Sequence, residues 1–389
     1  MKKILSIALV LVSLLSMFAL AGVANAASIA RSSQMPGRMS GSKAWRVLSS
    51  ANPTASGDYL YAISAISATN AWSVGDYLAG SGKTMVDQTL IEHYNGSSWS
   101  VVSSPNPGTG PNGNYLRAVA AVSASDIYAV GSEGGMGALI EHYNGASWSV
   151  VANPGIGVLR GIAVISAQNI WVVGDDGGPT RTLIEHYNGS QWSIVTSPNF
   201  GTGSGSYNEL SGVAAISASN IYAVGYYSTS SNSHQTFIVH YNGSKWSIVA
   251  SANVSGTHDY LSGVTAISAS NIYAVGGSYT LDSAGKALIE HFDGSKWSIV
   301  LSSSPYTLSS LNAVQAASAS DIYTVGYSFT GTLSIPSLVE HYNGSAWSVV
   351  ASPNPGGQNF LNGLARIPGT DQFIAVGNED GHTLVECNC

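Results

Sequence analysis

A unit of about 50 residues recurs seven times along this chain of 389 residues. One landmark of the unit is a tryptophan that usually follows a Tyr-Asn-Gly turn, and it stands at Trp45, Trp99, Trp148, Trp192, Trp246, Trp297 and Trp347. The second landmark is the glycine of a Val-Gly pair, at Gly75, Gly131, Gly174, Gly225, Gly276, Gly326 and Gly377. A constant period of this length is typical of an array of repeated supersecondary units.

One unit shows what each repeat contains. Four short apolar runs, 116–122, 126–131, 138–143 and 147–151, are joined by a Ser-Ala-Ser turn, a variable loop and the Asn144-Gly145 turn. Asn-Gly supplies the positive φ angles of a tight hairpin. We therefore predict an all-β fold, a seven-bladed β-propeller with four antiparallel strands per blade. The predicted blades span about 54–104, 110–152, 156–197, 207–251, 258–302, 308–352, and 358–389 together with 41–52.

The two ends of the propeller segment, 41–389, predict how the ring closes. Residues 41–52 carry Trp45 and correspond to a fourth strand, whereas the last residues, 384–387, correspond to a third strand. The N-terminal strand should therefore complete the seventh blade. Closure of this kind leaves no open sheet edge that could pair with another chain.

These motifs resemble the kelch-type, galactose-oxidase-like propeller repeat. The resemblance rests on Ile-Tyr-x-Val-Gly, a variable loop and Tyr-Asn-Gly-x-x-Trp, and it covers residues 41–389. A copper centre like that of galactose oxidase would need a cysteine cross-linked to a tyrosine in the body of the ring. The only cysteines are Cys387 and Cys389. We therefore expect no cofactor and no metal site.

The N-terminal residues 1–26 have the pattern of a secretory signal peptide. Lys2 and Lys3 precede an apolar run, and Ala24-Asn25-Ala26 forms a small-x-small cleavage site. An uncleaved membrane anchor is the alternative, because the run is nearly long enough to span a bilayer. With cleavage, we expect a secreted or cell-surface protein that has no membrane span. A flexible linker at 27–40 would then lead into the propeller.

Charge and cysteine content restrict the partners. Charged residues make up only 9% of the chain and the formal net charge is -7, so nucleic-acid partners are not expected. Cys387 and Cys389 are two residues apart, which on an extended strand separates their Cα atoms by about 6.6 Å and would strain a mutual disulfide. Free thiols and a disulfide to another chain are comparable alternatives. An intermolecular disulfide would suit a surface or matrix scaffold.

A Glu-His pair recurs on the predicted third strand of five blades. The pairs are Glu92-His93, Glu141-His142, Glu185-His186, Glu290-His291 and Glu340-His341. Each third strand lies about 10 Å outward from the innermost strand, so the pairs cannot converge on one metal ion. We instead predict a repeated hydrogen bond from His to Glu between blades, because buried polar groups need partners.

Variation among the repeats indicates where a ligand binds. The Ser-Ala-Ser and Asn-Gly turns hardly change, whereas the other loops differ in length and chemistry and share one rim. Tyr115, Tyr227 and Tyr260 belong to this rim, and tyrosine offers contact area at low entropic cost. Each innermost strand also begins with Leu and a changeable residue. These residues should form a ring at the channel mouth: Tyr61, Arg117, Arg160, Ser211, Ser262, Asn312 and Asn362.

Arg117 and Arg160 belong to adjacent blades, and two convergent guanidinium groups would suit a carboxylate, sulfate or phosphate. The alternative is that each arginine reaches solvent or pairs with Glu133 or Asp175. The candidate ligand-binding residues are therefore Arg117, Arg160, Tyr61, Asn312, Asn362, Tyr115, Tyr227 and Tyr260.

Two functions remain open besides the scaffold. The first is a secreted, non-enzymatic propeller that uses its variable rim to bind a glycan or an extracellular protein. The second is a carbohydrate-active enzyme, similar to a sialidase or a polysaccharide lyase, in which Tyr61 or Glu209 does chemistry on an anionic glycan. Glycoside hydrolysis usually needs two carboxylates that flank the bond, and no motif in the sequence brings two together. The binding function is therefore preferred.

Overall fold

The computed structural model describes residues 44–389 apart from 56, 109–111, 179–180, 202–205, 229–232, 281–284, 307 and 333. The predicted signal peptide and linker lie outside the described residues. Within them, 28 strands form seven four-stranded antiparallel sheets. The predicted all-β, seven-bladed propeller is confirmed. None of the helices in this part of the chain has the length and apolar character needed to cross a membrane.

Blades 1 to 6 each consist of four consecutive strands, numbered outward from the inner strand, with one 3-10 turn at Gly82–Thr84. Blade 1 contains Asp58–Ser67 (β2), Asn70–Ala79 (β3), Val86–Tyr94 (β4) and Trp99–Val101 (β5). Blades 2 and 3 contain Asn114–Ser123 (β6), Asp126–Glu133 (β7), Gly137–Tyr143 (β8), Trp148–Val150 (β9), Val158–Ser166 (β10), Asn169–Asp175 (β11), Thr182–Tyr187 (β12) and Trp192–Ile194 (β13). Blades 4 and 5 contain Tyr207–Ser217 (β14), Asn220–Ser228 (β15), His234–Tyr241 (β16), Trp246–Val249 (β17), His258–Ser268 (β18), Asn271–Tyr279 (β19), Gly285–Phe292 (β20) and Trp297–Val300 (β21). Blade 6 contains Leu308–Ser318 (β22), Asp321–Phe329 (β23), Ser337–Tyr342 (β24) and Trp347–Val350 (β25).

Blade 7 joins the two ends of the described chain. Its strands are Asn359–Arg366 (β26), Phe373–Glu379 (β27), His382–Cys387 (β28) and Arg46–Leu48 (β1). β1 pairs antiparallel with β28, so the N-terminal strand completes the last blade as predicted. Side chains from both ends reinforce this pairing, because the Ser50 and Thr383 hydroxyls lie 2.7 Å apart and Thr383 N donates to Asn52 Oδ1 at 2.7 Å.

The repeated tryptophan packs each blade on the one before it. Trp192 of blade 3 meets Tyr128 of blade 2 edge to face, with ring centroids 6.2 Å apart. The same contact recurs between later blades, in the pairs Trp246–Trp171, Trp297–Tyr222 and Trp347–Tyr273. Each apolar cluster therefore combines residues of two neighbouring blades. Large aromatic side chains in this position bury much of the apolar surface that holds the ring together.

The recurring glutamate and histidine do not bond to each other, and the predicted His-to-Glu contact is wrong. His186 Nε2 lies 2.9 Å from Asn169 Oδ1 of its own blade. Glu386 instead accepts a hydrogen bond from Ser352 of the preceding blade, at 2.6 Å. Glu290 and Glu340 make the same kind of contact with Ser251 and Ser302 of the preceding blades, whereas the carboxylate oxygens of Glu141 and Glu185 have no partner among the described residues. The histidines equivalent to His186 likewise bond to an asparagine or aspartate at the start of the second strand of their own blade, so none of them reaches a glutamate.

The cysteine prediction also needs correction. Cys387 and Cys389 form one disulfide with each other, with Cα atoms 5.3 Å apart. β28 ends at Cys387, and Asn388 N then donates to the Phe373 carbonyl at 3.2 Å. The chain therefore leaves the extended path that gave the larger expected separation. Neither free thiols nor a disulfide to another chain is present at this pair.

Candidate ligand-binding site

A β-bulge sets the ring residues apart from the sheet in every blade. In blade 4, Leu210 pairs with Gly225 and Gly212 pairs with Val224, so Ser211 has no partner on β15. The same register shift leaves six further residues unpaired, namely Tyr61, Arg117, Arg160, Ser262, Asn312 and Asn362. Because a bulge re-aims the side chain of its extra residue, these seven positions form one structural set.

The Val-Gly glycine allows the close approach that accompanies the bulge. A Cβ atom on Gly225 would lie 1.9 Å from the Glu209 carbonyl oxygen, and its six equivalents would meet the inner strand at 1.8 or 1.9 Å. The inner strands of adjacent blades also approach closely just after the ring, since a Cβ on Gly212 would lie 3.0 Å from the Ser262 carbonyl. The bulged residues of neighbouring blades are therefore held side by side.

Arg160 is held between carboxylates of blades 3 and 4. Its Nε lies 2.9 Å from Asp175 Oδ2, and its Nη2 lies 3.2 Å from Glu209 Oε2. Glu209 also accepts hydrogen bonds from the Tyr207 hydroxyl at 2.7 Å and the Ser211 hydroxyl at 3.0 Å. The ion pair between Arg160 and Asp175, one of the alternatives considered above, is present in the structure, and Glu209 forms a second ion pair with the same guanidinium group. Two carboxylates thus compensate the charge of Arg160 within the protein.

Arg117, the neighbouring ring position, has different surroundings. Its guanidinium carbon lies 4.2 Å from the centroid of the Tyr61 ring and 5.2 Å from that of Tyr115. These distances are within the range of cation–π attraction. The Tyr115 hydroxyl donates to Asp87 Oδ2 at 2.6 Å. In contrast to Arg160, Arg117 makes no ion pair with any carboxylate of the described residues.

Asp76 lies in the same group as Tyr61 and Arg117. It is only 1% exposed, and neither carboxylate oxygen has a hydrogen-bond partner of good geometry. Burial raises the pKa of Asp76 to about 7, while the Arg117 charge and the Tyr61 hydroxyl lower it and the Asp87 carboxylate raises it. This carboxyl group can therefore gain or lose a proton near neutral pH.

Tyrosines of blades 4 to 6 lie close together beside the predicted channel mouth. The Tyr260 hydroxyl lies 2.5 Å from the Tyr279 hydroxyl and 2.8 Å from Ser310 Oγ of the next blade. Tyr226 meets the Tyr260 ring edge to face, with centroids 6.4 Å apart. All three tyrosines are partly exposed. Aromatic faces and hydroxyl groups therefore follow one another around this part of the mouth.

Two ring asparagines connect blades 6, 7 and 1. Asn312 Nδ2 donates to the Leu361 carbonyl at 2.9 Å and to Asn362 Oδ1 at 3.2 Å. Asn362 Nδ2 donates in turn to the Leu60 carbonyl of blade 1 at 2.9 Å. Both side chains therefore brace adjacent blades and have part of their hydrogen-bonding capacity in use.

Tyr227 lies apart from the other candidates. Its ring stacks on Phe200 at 4.1 Å and its hydroxyl bonds to Gln235, because it points to the opposite face of β15 from Tyr226. The candidate set also left out four tyrosines of the mouth: Tyr207, Tyr226, Tyr279 and Tyr327. Tyr226 and Tyr327 directly follow the Val-Gly pair. That position pairs across the strands with the residue before the ring leucine, which could have identified it.

The carboxyl groups at this site are either paired or buried, which suits ligand binding better than catalysis. The Asp175 and Glu209 carboxylates are engaged by Arg160, while the Asp76 carboxyl is too buried to reach a ligand directly. In the described part of the chain, no group of three or more His, Cys, Asp or Glu side chains is placed to hold a metal ion.

Comparison with known proteins places the chain by its fold alone. No family model matches it, and no curated protein matches it. The solved structure "YCF48 bound to D1 peptide" is 13% identical with a TM-score of 0.56, covering 88% of this chain and 94% of that one. The extracellular domain of the putative hybrid two-component system BT4673 from B. thetaiotaomicron is 12% identical with a TM-score of 0.54, covering 87% of this chain and 39% of that one. The GH74 xyloglucanase from Xanthomonas campestris is 12% identical with a TM-score of 0.53, covering 88% of this chain and 53% of that one. This chain thus shares a propeller fold with proteins of different functions.

Proposed function

We propose that this protein is a secreted, non-enzymatic recognition propeller that binds a glycan at the channel mouth, and that its repeats are of the kelch type. The observation that carries the proposal is the ring of seven bulged positions. Its members are Tyr61, Arg117, Arg160, Ser211, Ser262, Asn312 and Asn362, and each differs from the repeated frame around it. A frame that repeats while one exposed position varies in each unit is the pattern expected of a binding surface.

The chemistry of the mouth favours a glycan over a protein. Every ring residue is aromatic, charged, or carries a hydroxyl or amide group, and none is aliphatic. The centre of a protein interface is typically apolar, whereas a sugar presents hydroxyl groups and flat C–H faces. Tyrosine rings and amide groups match the sugar surface better. The partly exposed tyrosines Tyr226, Tyr260 and Tyr279 extend this surface beyond the ring.

The engagement of the carboxylates supports binding without turnover. A glycosidase usually needs an acid and a second carboxylate on either side of the bond. Glu209 accepts hydrogen bonds from Tyr207 and Ser211 and pairs with Arg160, so its oxygens are already engaged within the protein.

A protein partner is the second candidate, and a separate surface favours it. Met136 and Ile156 are 58% and 67% exposed on the variable rim, and Gly157 N donates to the Met136 carbonyl at 2.7 Å, which keeps the two loops together. Exposed apolar pairs on a rim suit protein contacts. The propeller of similar fold whose title reads "YCF48 bound to D1 peptide" gives a precedent for a peptide ligand on such a scaffold.

A blocking substitution tests the glycan proposal. Ser262 is a ring residue without a side-chain hydrogen bond, so Ser262→Trp should fill the mouth and leave the frame intact. Ser149→Trp, on the exposed outer strand β9, is the matched control. On an array of neutral, sulfated and uronic-acid glycans, we expect binding that falls at least tenfold with Ser262→Trp and not with Ser149→Trp.

Four other results would contradict the proposal. The absence of any bound glycan would reject glycan recognition. Binding unaffected by Ser262→Trp would place the site away from the mouth, and a protein ligand lost on Met136→Ser with Ile156→Ser would favour the rim. Cleavage of a bound glycan, followed by the release of reducing ends, would make the protein an enzyme.

A further inference from the structure

Two arginines at equivalent bulges provide an internal comparison. Arg160 pairs with two carboxylates at 2.9 and 3.2 Å, so a ligand anion would have to compete with both. Arg117 is partly exposed and rests on the faces of Tyr61 and Tyr115 without an ion pair to a described carboxylate. A guanidinium group has five N–H donors, and a hydrogen bond to the Tyr61 hydroxyl uses only one of them, while the faces of the aromatic rings accept no directed hydrogen bond. Arg117 therefore has donor capacity that Arg160 lacks.

Accessibility makes Arg117, rather than Asp76, the group that a ligand meets. Both carboxylate oxygens of Asp76 are shielded from solvent, whereas the Arg117 side chain is not. The rings of Tyr61 and Tyr115 hold the guanidinium group and limit its rotamers. An arginine with a fixed orientation loses little further entropy on binding, and its fork matches the two oxygens of a carboxylate.

We propose that Arg117 binds the carboxylate of an acidic sugar, such as a uronic acid, at the channel mouth. This inference rests on the proposed glycan recognition and names the sugar class. The sequence analysis considered an anion site formed by Arg117 and Arg160 together. In this proposal Arg117 alone binds the anion. A planar carboxylate suits the guanidinium fork, and the neighbouring hydroxyl and amide groups of the ring suit the rest of the sugar.

Asp76 makes this binding depend on pH. The groups that act on Asp76 are Arg117 and Tyr61, which favour its charged form, and Asp87 and Asp58, which oppose it. Above a pH of about 7, a charged Asp76 attracts Arg117 and repels a ligand carboxylate. Below that pH, Asp76 is neutral while the sugar carboxylate remains charged. Affinity for the acidic sugar should therefore rise as the pH falls from 8 to 5.5.

Calorimetric titration of the mature chain tests the proposal, with trigalacturonate, a neutral galactose trimer and an Asp/Glu-rich peptide as probes. We expect trigalacturonate to bind more tightly than the neutral trimer and to lose at least tenfold in affinity with Arg117→Ala. Arg46→Ala, at an exposed arginine of the outer strand β1, is the matched control and should change nothing. Arg117→Lys should give an intermediate loss, because it keeps the charge without the fork. Asp76→Asn should abolish the difference between pH 5.5 and pH 8.

The outcomes separate this inference from the proposed function. Glycan binding that is insensitive to Arg117→Ala, or limited to the neutral trimer, would overturn the inference and leave the proposed function standing. If neither trimer binds, the proposed glycan recognition fails, and this inference fails with it. Binding of the acidic peptide alone would overturn the assignment to an acidic sugar.

Discussion

Replacing Glu141 by glutamine should make folding less sensitive to alkaline pH. Glu141 is fully buried on β8, and neither of its carboxylate oxygens has a hydrogen-bond partner. Burial raises its pKa from 4.5 to about 8. The folded state therefore holds this proton more tightly than the unfolded state does. The resulting stability is fully present below pH 4.5 and is lost as the pH rises through about 8.

The loss of stability at alkaline pH can be calculated from the pKa shift of Glu141. A pKa difference of about 3.5, at about 1.36 kcal/mol per pKa unit, is worth about 5 kcal/mol in full, of which about 4 kcal/mol is lost between pH 5 and pH 9 for this one group. Relaxation around the carboxylate would reduce this value, so it is an upper limit. Glutamine has nearly the same shape and stays neutral, and should remove this loss.

Chemical unfolding at pH 5, 7 and 9 measures the effect. The wild-type protein should be less stable at pH 9 than at pH 5, and Glu141→Gln should show a smaller decline by up to about 4 kcal/mol. Glu133→Gln, at a partly exposed glutamate of the same blade, should decline like the wild type. Equal declines in Glu141→Gln and the wild type, or a wild-type protein that gains stability at pH 9, would refute the reasoning.

Two further predictions concern the closure of the ring. Deletion of residues 44–52 removes β1 and leaves the edge of β28 unpaired. Calorimetry should then show no cooperative thermal unfolding. A single sharp transition near the wild-type temperature would contradict this prediction. Cys389→Ser opens a disulfide loop of only a few residues and should lower the free energy of unfolding by about 1.5 kcal/mol. The wild-type protein should run as a monomer on reducing and non-reducing gels, whereas a dimer band only without reductant would indicate intermolecular pairing.

The fold was accessible from the sequence because its determinants are local and repeated. Asn-Gly turns specify hairpins, and the Val-Gly glycine is required wherever the second strand meets the carbonyl of the first. Each such requirement occurs seven times. The position of Trp45 further predicted the completing strand, which depends only on counting strands.

The contacts of the site were less accessible because they depend on register across strands and blades. The sequence placed Arg160 and Asp175 in the same blade, but the second partner, Glu209, comes from the next inner strand. His186 bonds to Asn169 at the start of β11, and this cross-strand register is not visible in the Glu-His spacing. For Cys387, the deciding factor was where β28 ends, which the spacing of two cysteines does not contain.

The ring positions differ in how much of their chemistry the fold already uses. Arg160, Asn312 and Asn362 bond to neighbouring blades, so changing them alters the ring as well as its surface. Ser262 makes no side-chain hydrogen bond to a described residue, and Arg117 contacts blade 1 only through Tyr61, itself a variable ring residue. Substitution there can change a ligand without loosening the ring. We therefore expect blades 2 and 5 to determine specificity, while blades 3, 6 and 7 mainly keep the mouth in shape.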